Sequence, residues 1–404
     1  MTIALDDIRR AAAILAGELP VTPTVAARRL SEQTGTRLFL KLESLHHTGS
    51  FKERGALAKL RSLDEAAARQ GVIAMSAGNH AQGVAYHATR LGIPATIVMP
   101  AQTPFTKVER TEAYGARVLL HGETLSDAEA FAHDIAARDG LTFVHPYDDP
   151  LIIAGQGTVG LEMLDAVPDL DVLVVPIGGG GLIAGIATAA KALKPGIEVI
   201  GVEAEMYPSM KQTLAGEPVA CSGATIAEGI AVKAPGQLTR EIVRDLVDDI
   251  VLVGEECLER AIYTLITEQK LVVEGAGAAG VAALLDDPAR FKGRTVGTVI
   301  CGGNIDARVL ASILMRGLVR QRRVVRLRIG LSDAPGALAK VAQFLGDAGG
   351  NIVEVYHQRL FHNVPVKMAD IDVVLETRDP AHVDAIIAKL REAGYPAELM
   401  DDVS

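Results

Sequence analysis

The chain has 404 residues, enough for two or three domains at roughly 150 residues each. Its 49% hydrophobic and 22% charged residues exclude disorder and collagen-like or coiled-coil architectures. With 50 acids against 40 bases the net charge is −10, so no nucleic-acid partner is expected, because counterion release needs clustered Lys and Arg.

In chain order, the N-terminus places acids early and lacks the basic-then-apolar order of a secretory signal. Short apolar runs predict strands over 37–41, 72–75, 95–99, 117–120, 172–176, 198–202 and 295–301. Ala-rich helical stretches lie between them, among them 81–91, 126–138 and 182–193. That alternation predicts βαβ units and an α/β fold with parallel sheets covered on both faces. Aromatics at 4%, with no Trp, suit a core of Ala, Val, Ile and Leu. The uncharged stretch 172–190 imitates a membrane span, but Pro176 and four consecutive glycines interrupt it. A strand, a glycine loop and a helix are expected there, and no membrane partner.

A basic run over 316–323 reads as a linker. Beyond it, Val325, Leu327 and Ile329 alternate with Arg326 and Arg328, as in a half-buried strand. The turn Asp333-Ala-Pro-Gly336 opens a helix carrying Leu338, Val341, Ala342 and Leu345 at helical spacing. A strand over 352–359, another over 371–376, a helix from Asp379-Pro380 and a short strand at 397–399 complete a βαββαβ order, which is ferredoxin-like. The expected division is 1–318, a linker at 319–324, and 325–404. Cys221, Cys257 and Cys301 lie far apart, without metal-ligand spacing, and fit a reducing compartment.

Three segments carry chemistry. In GSFKERG, residues 49–55, Lys52 follows Phe51 and precedes Arg54. A lysine at a helix start is ordinarily a solvated charge. One that forms a Schiff base needs a lowered pKa, from burial or a neighbouring cation, and Phe51 and Arg54 are candidates for those two effects. In SAGNH, residues 76–80, small residues free backbone amides at a helix N-terminus to receive a carboxylate, with Asn79 as a side-chain donor. The plainer alternative is an N-cap made by Ser76 or Asn79. In PIGGGGL, residues 176–182, four glycines before a helix form a phosphate nest, or else a structural turn. No Lys follows, which excludes a nucleoside-triphosphatase loop.

A reactive lysine, an anion loop and a phosphate nest on one α/β scaffold describe a pyridoxal-phosphate enzyme. SFKERGA, SAGNHAQG, GQGT at 155–158, PIGGGGL and CGGN at 301–304 resemble the motifs of fold-type II pyridoxal-phosphate enzymes, and within them the threonine/serine dehydratases. The fold implied has two parallel-sheet α/β lobes, similar to the tryptophan synthase β subunit. The C-terminal unit resembles an ACT regulatory domain. The resemblance implies that Lys52 carries pyridoxal 5'-phosphate, that Phe51 packs beside its ring and that Asn79 hydrogen-bonds the ring hydroxyl. It further implies phosphate binding by the amides of Gly178, Gly179, Gly180, Gly181 and Leu182. Ser76, with the amides around Ala77, Gly78, Asn79 and His80, would hold the substrate carboxylate. Cys301 would face the ring nitrogen, as a weak donor rather than a counter-ion.

On those roles Lys52 takes the α-proton and the β-hydroxyl leaves, protonated by the cofactor phosphate. The expected activity is that of an L-threonine ammonia-lyase giving 2-oxobutanoate, with L-serine as a secondary substrate. Serine or threo-3-hydroxyaspartate dehydration is the alternative, and an amino-acid sensor with a degenerate catalytic domain the alternative of another class. Ala77 stands where related serine racemases carry a second serine, which disfavours racemisation. Glu203 matches a cation ligand of some relatives, but Ser209 stands where an acid is needed, so no required metal is expected. Glu274 lies either near the cofactor or at a helix cap. An isoleucine or valine effector is expected near Asp333, Gly336 and Asn351, in a cytoplasmic homo-oligomer, tetramer or dimer.

Overall fold

The computed structural model describes residues 3–358, 365 and 367–400, and the chain divides into two units, Met1–Ile305 and Asp306–Ser404. In the first, the strands are β1 (Thr24–Ala26), β2 (Arg37–Lys41), β3 (Val72–Met75), β4 (Ala95–Met99), β5 (Arg117–Leu120), β6 (Thr142–Phe143), β7 (Val172–Pro176), β8 (Glu198–Ala204), β9 (Asp249–Val253) and β10 (Thr295–Val299). They form two sheets. The larger runs β1-β2-β10-β7-β8-β9 and is parallel except for β1. The smaller, β5-β4-β3-β6, is wholly parallel. Every residue of β3 and β7 is buried, because helices cover both faces, and so these strands lack polar alternation.

The seven strands expected in this unit are all present. β1, β6 and β9 were not foreseen; the first two are too short to give an apolar run. The uncharged stretch from Val172 resolves into β7, a glycine loop and the helix Gly181–Leu193. Among the described residues no helix is long and apolar enough to cross a membrane.

The GQGT motif lies within the helix Pro150–Ala166, not in a loop. Its glycines let three backbones approach closely. A Cβ on Gly155 would lie 2.7 Å from the Cα of Gly55, which belongs to the helix Lys52–Arg61. A Cβ on Gly185 would meet the Ile153 carbonyl and lie 2.5 Å from the Gly157 nitrogen. The helix carrying Lys52 and the helix following the glycine loop are thus both clamped to one central helix.

The second unit holds β11 (Val324–Ser332), the helix Ala337–Asp347, β12 (Asn351–Gln358), β13 (Met368–Glu376), the helix Pro380–Glu392 and β14 (Ala397–Leu399). Its antiparallel sheet runs β12-β13-β11-β14, the βαββαβ arrangement. Leu327, Ile329, Val341, Leu345, Ile371 and Ile386 pack its core. The expected strand end at Arg359 lies outside the described residues. The expected linker at 319–324 is shorter in the structure: the helix Ala307–Arg320 continues into it and β11 starts at Val324. Asp306 caps that helix through the Arg308 and Val309 amides, and its buried Ile313 and Gly317 give it the apolar face that the basic run obscured. Gly185→Ala should lower the stability of the first unit by about 3 kcal/mol through overpacking, read as a reduced urea midpoint.

Candidate active site

Lys52 opens its helix, and the residues before it are tied to the end of β10. Phe51 N–H donates to the Cys301 carbonyl at 3.1 Å, and Ser50 bridges Gly302. This brings Lys52 and Cys301, far apart in sequence, to one place. The Lys52 ammonium donates to the Pro146 carbonyl at 2.7 Å, and its Nζ lies 5.1 Å from the Phe51 ring centroid. Among the described residues no carboxylate pairs with it. Burial pushes the amine down to about 8, against weaker opposing effects of Cys301 and Glu274.

Arg54 does not supply the neighbouring cation that the sequence suggested. It is buried, with Nε and Nη2 on Glu43 at 2.7 and 2.8 Å and Nη1 and Nη2 on Glu162 at 2.6 and 2.8 Å. Its Nη1 also donates to Thr158 Oγ1 at 2.9 Å. Burial opposes ionisation of Glu43, but Arg54 and His46 outweigh it and hold the carboxyl well below the usual range. The guanidinium is therefore neutralised within its own cluster, and Lys52 owes its shift to burial. Glu53 is likewise buried and accepts from the Thr48 amide and from His87.

The glycine loop leaves β7 and enters the helix Gly181–Leu193. Gly180 has φ +94°, a left-handed conformation that favours glycine, and a Cβ on Gly179 would run into the Tyr147 ring. Gly236 N–H and Thr239 Oγ1 both donate to the Gly179 carbonyl, which turns the peptide and fixes the loop. The amides of residues 178–183 meet no acceptor among the described residues. Consecutive amides at a helix N-terminus fit a phosphate.

At the end of β3 a second loop enters the helix Asn79–Arg90. Neither Ser76 nor Asn79 caps that helix: Gly78 is the N-cap, and Ser76 Oγ accepts from the Gly78 amide at 3.1 Å. The amides of residues 79–81 are left for an anion. Ala77 packs against the apolar cluster of this lobe. The His80 ring is turned away, with Nε2 2.9 Å from the Val144 carbonyl, and burial pushes it down to about 3, so it stays neutral. Only its backbone faces the loop's task.

Asn79 Nδ2 donates to Glu274 Oε1 at 2.7 Å, while its Oδ1 accepts from Asn304 Nδ2 at 2.8 Å. Glu274 precedes the helix Gly275–Asp286 but makes no side-chain cap, which removes the capping reading. Burial raises its carboxyl to about 7, opposed by the Asn79 and Asn304 hydrogen bonds. The Cys301 thiol is 3% exposed, and burial pushes it up, so it keeps its proton. Pro146 and Tyr147 were invisible in the sequence, because a backbone carbonyl and a ring laid on a glycine leave no motif.

Other candidates fall elsewhere. Glu203 is buried and accepts from the Met210 and Lys211 amides, and among the described residues no cluster of acids, His and Cys is arranged to hold a metal. In the second unit Asp333 and Gly336 follow the end of β11, where Ser332 pairs with Met368. Asn351 pairs with Glu376 at the opposite end of β13 and donates to its carboxylate at 3.1 Å. These three effector candidates do not come together within one chain.

Residues 16–302 match the family model for pyridoxal-phosphate dependent enzymes, and residues 325–394 match the ACT domain. The chain belongs to the pyridoxal-phosphate-dependent enzymes. It is 44% identical to a Thermotoga maritima protein named L-threonine ammonia-lyase, over 98% of this chain and 100% of that one. Among solved structures, the processed form of threonine deaminase isoform 2 from Solanum lycopersicum is 35% identical, with TM-score 0.72 over 77% of this chain and 86% of that one. Maize serine racemase is also 35% identical, with TM-score 0.74 over 80% and 100% of the two chains. The cofactor of this family is pyridoxal 5'-phosphate. The residues present fit it: a lysine amine of depressed pKa, and a run of unengaged amides at a helix start.

Because the folded-state pKa of Lys52 lies below its unfolded value of about 10.4, protonated Lys52 costs stability below pH 8, and the cost fades as pH rises toward the unfolded value. Lys52→Met should therefore stabilise the cofactor-free protein by about 2 kcal/mol at pH 7, with little difference near pH 10.5, as read by denaturant unfolding.

Proposed function

We propose that this enzyme is an L-threonine ammonia-lyase, which eliminates the α-proton and β-hydroxyl of L-threonine to give 2-oxobutanoate and ammonia, with L-serine as a secondary substrate. The observation that carries the reading is the Lys52 amine, which pairs with no carboxylate among the described residues and is lowered to about 8, at the start of a helix tied to Cys301. The full-length similarity to a protein of that name supports it. When bound, the cofactor supplies an electron sink for charge developing at the substrate α-carbon.

The chain's own groups do the rest. Lys52 anchors the cofactor and, once displaced, takes the α-proton at Nζ, a role typically worth roughly 10²- to 10⁴-fold. The amides after Ser76, with the Ser76 hydroxyl, receive the substrate carboxylate at a helix N-terminus. The amides of Gly178–Leu182 hold the cofactor phosphate, Phe51 packs beside the ring, and Asn79 serves the ring hydroxyl. Cys301, protonated and buried, offers the ring nitrogen a weak donor rather than a counter-ion. The Ala77 methyl carries no proton to the opposite face of the α-carbon, which favours elimination over racemisation despite the likeness to maize serine racemase.

The ACT match supports an amino-acid effector, isoleucine or valine, bound by the C-terminal unit. A cytoplasmic homo-oligomer, dimer or tetramer, completes the reading, and its three cysteines are free thiols.

Lys52→Ala should abolish the visible absorbance of the purified enzyme and lower turnover by more than about 10⁴-fold; retained colour and activity would contradict the assignment. Threonine should exceed serine and threo-3-hydroxyaspartate in kcat/KM, and the reverse order would transfer the enzyme to another dehydratase class. Isoleucine or valine should shift the threonine saturation curve of the full chain, and flat titrations with both would remove the regulatory reading.

A further inference from the structure

Asn304, Asn79 and Glu274 form a one-way chain of hydrogen bonds. The Thr48 carbonyl only accepts, so Asn304 must present its NH2 group there, at 2.7 Å. The same group donates to Asn79 Oδ1 at 2.8 Å, which uses both of its hydrogens. The oxygen of Asn79 is thereby assigned, and its Nδ2 is directed to Glu274 Oε1 at 2.7 Å. Glu274 Oε1 fills the space that a side chain on Gly302 would need, which gives the first glycine of the CGGN motif a physical reason. A carboxylate accepts at both oxygens, whereas an amide in its place must donate at one of them.

We infer that Glu274 is a positioning residue that fixes the Asn79 amide so that an N–H, and not the carbonyl oxygen, is left to face the ring oxygen of the bound cofactor. The inference rests on the reading above that Asn79 serves that oxygen. Of the two Nδ2 hydrogens, Glu274 takes one and the second remains. Held this way, Asn79 stabilises the ring oxygen as an anion. Reversed, it would set a lone pair against that anion. Asn304, pinned by a backbone carbonyl, prevents the reversal from one side, and Glu274 prevents it from the other.

The test is cofactor titration into the cofactor-free protein, reading affinity and the visible absorbance band, with the Tm of the cofactor-free protein measured separately. Glu274→Gln preserves shape but turns one of the two acceptor oxygens into a donor, so that it receives the Asn79 N–H in only one of its own two amide orientations. It should weaken cofactor affinity about tenfold and move absorbance from the visible band to shorter wavelength. Asn79→Asp combined with Glu274→Gln restores a matched set, the introduced amide donating to the introduced carboxylate. The double variant should regain the Tm lost in Glu274→Gln, yet bind cofactor at least about tenfold more weakly than it, because an acceptor now faces the ring oxygen. Wild-type affinity and absorbance in Glu274→Gln would overturn the inference. So would recovery of affinity together with Tm in the double variant, which is the behaviour of a purely structural contact. A wild-type protein whose visible band survives Lys52→Ala would instead remove the reading on which the inference rests.

Discussion

A half-buried amine that pairs with no carboxylate among the described residues is the constraint on which this site depends. Lys52 has a backbone carbonyl as its partner, and that carbonyl belongs to Pro146, at the approach to the central helix. Burial then lowers the amine toward the neutral form that bond formation and proton abstraction both need. The adjacent guanidinium would have been a second route to the same end. Instead Arg54 is enclosed by Glu43 and Glu162, and its role is to hold the start of the helix in place. A buried pair of this kind is poor evidence for added stability, but losing one partner would leave an uncompensated charge in the helix that carries the reacting lysine.

Backbone proximity does the rest of the positioning. Gly55, Gly155, Gly157 and Gly185 let three helices meet main chain to main chain, so the lysine and the glycine loop are registered against one rigid element. Side chains in those contacts would separate the two halves of the site. The loop carries its own constraint at Gly179, whose carbonyl accepts from Gly236 and Thr239 while the Tyr147 ring lies where a side chain would project. The amides that remain are directed by what occupies the carbonyls.

Much of this was legible in the sequence. Strand-helix alternation gave the parallel sheets, because buried parallel strands read as plain apolar runs. The glycine run and the SAGNH segment marked helix starts, and the structure leaves their amides unengaged. What escaped had physical causes. The partners of Arg54 are distant in sequence, so the motif alone pointed to the wrong role. The His80 ring is bonded to the Val144 carbonyl, a partner that no motif in the sequence marks. Glu274 sat at a helix start and was ambiguous until its oxygen was seen to fill the space of Gly302. In the C-terminal unit, Asn351 was grouped with Asp333 by family pattern, whereas strand register places them at opposite ends of one sheet.

The most direct measurement is borohydride reduction of the purified protein followed by peptide mass mapping. A single modified peptide, carrying the reduced cofactor on Lys52, is the predicted result. Modification of another lysine, or none in a protein that turns over threonine, would contradict it.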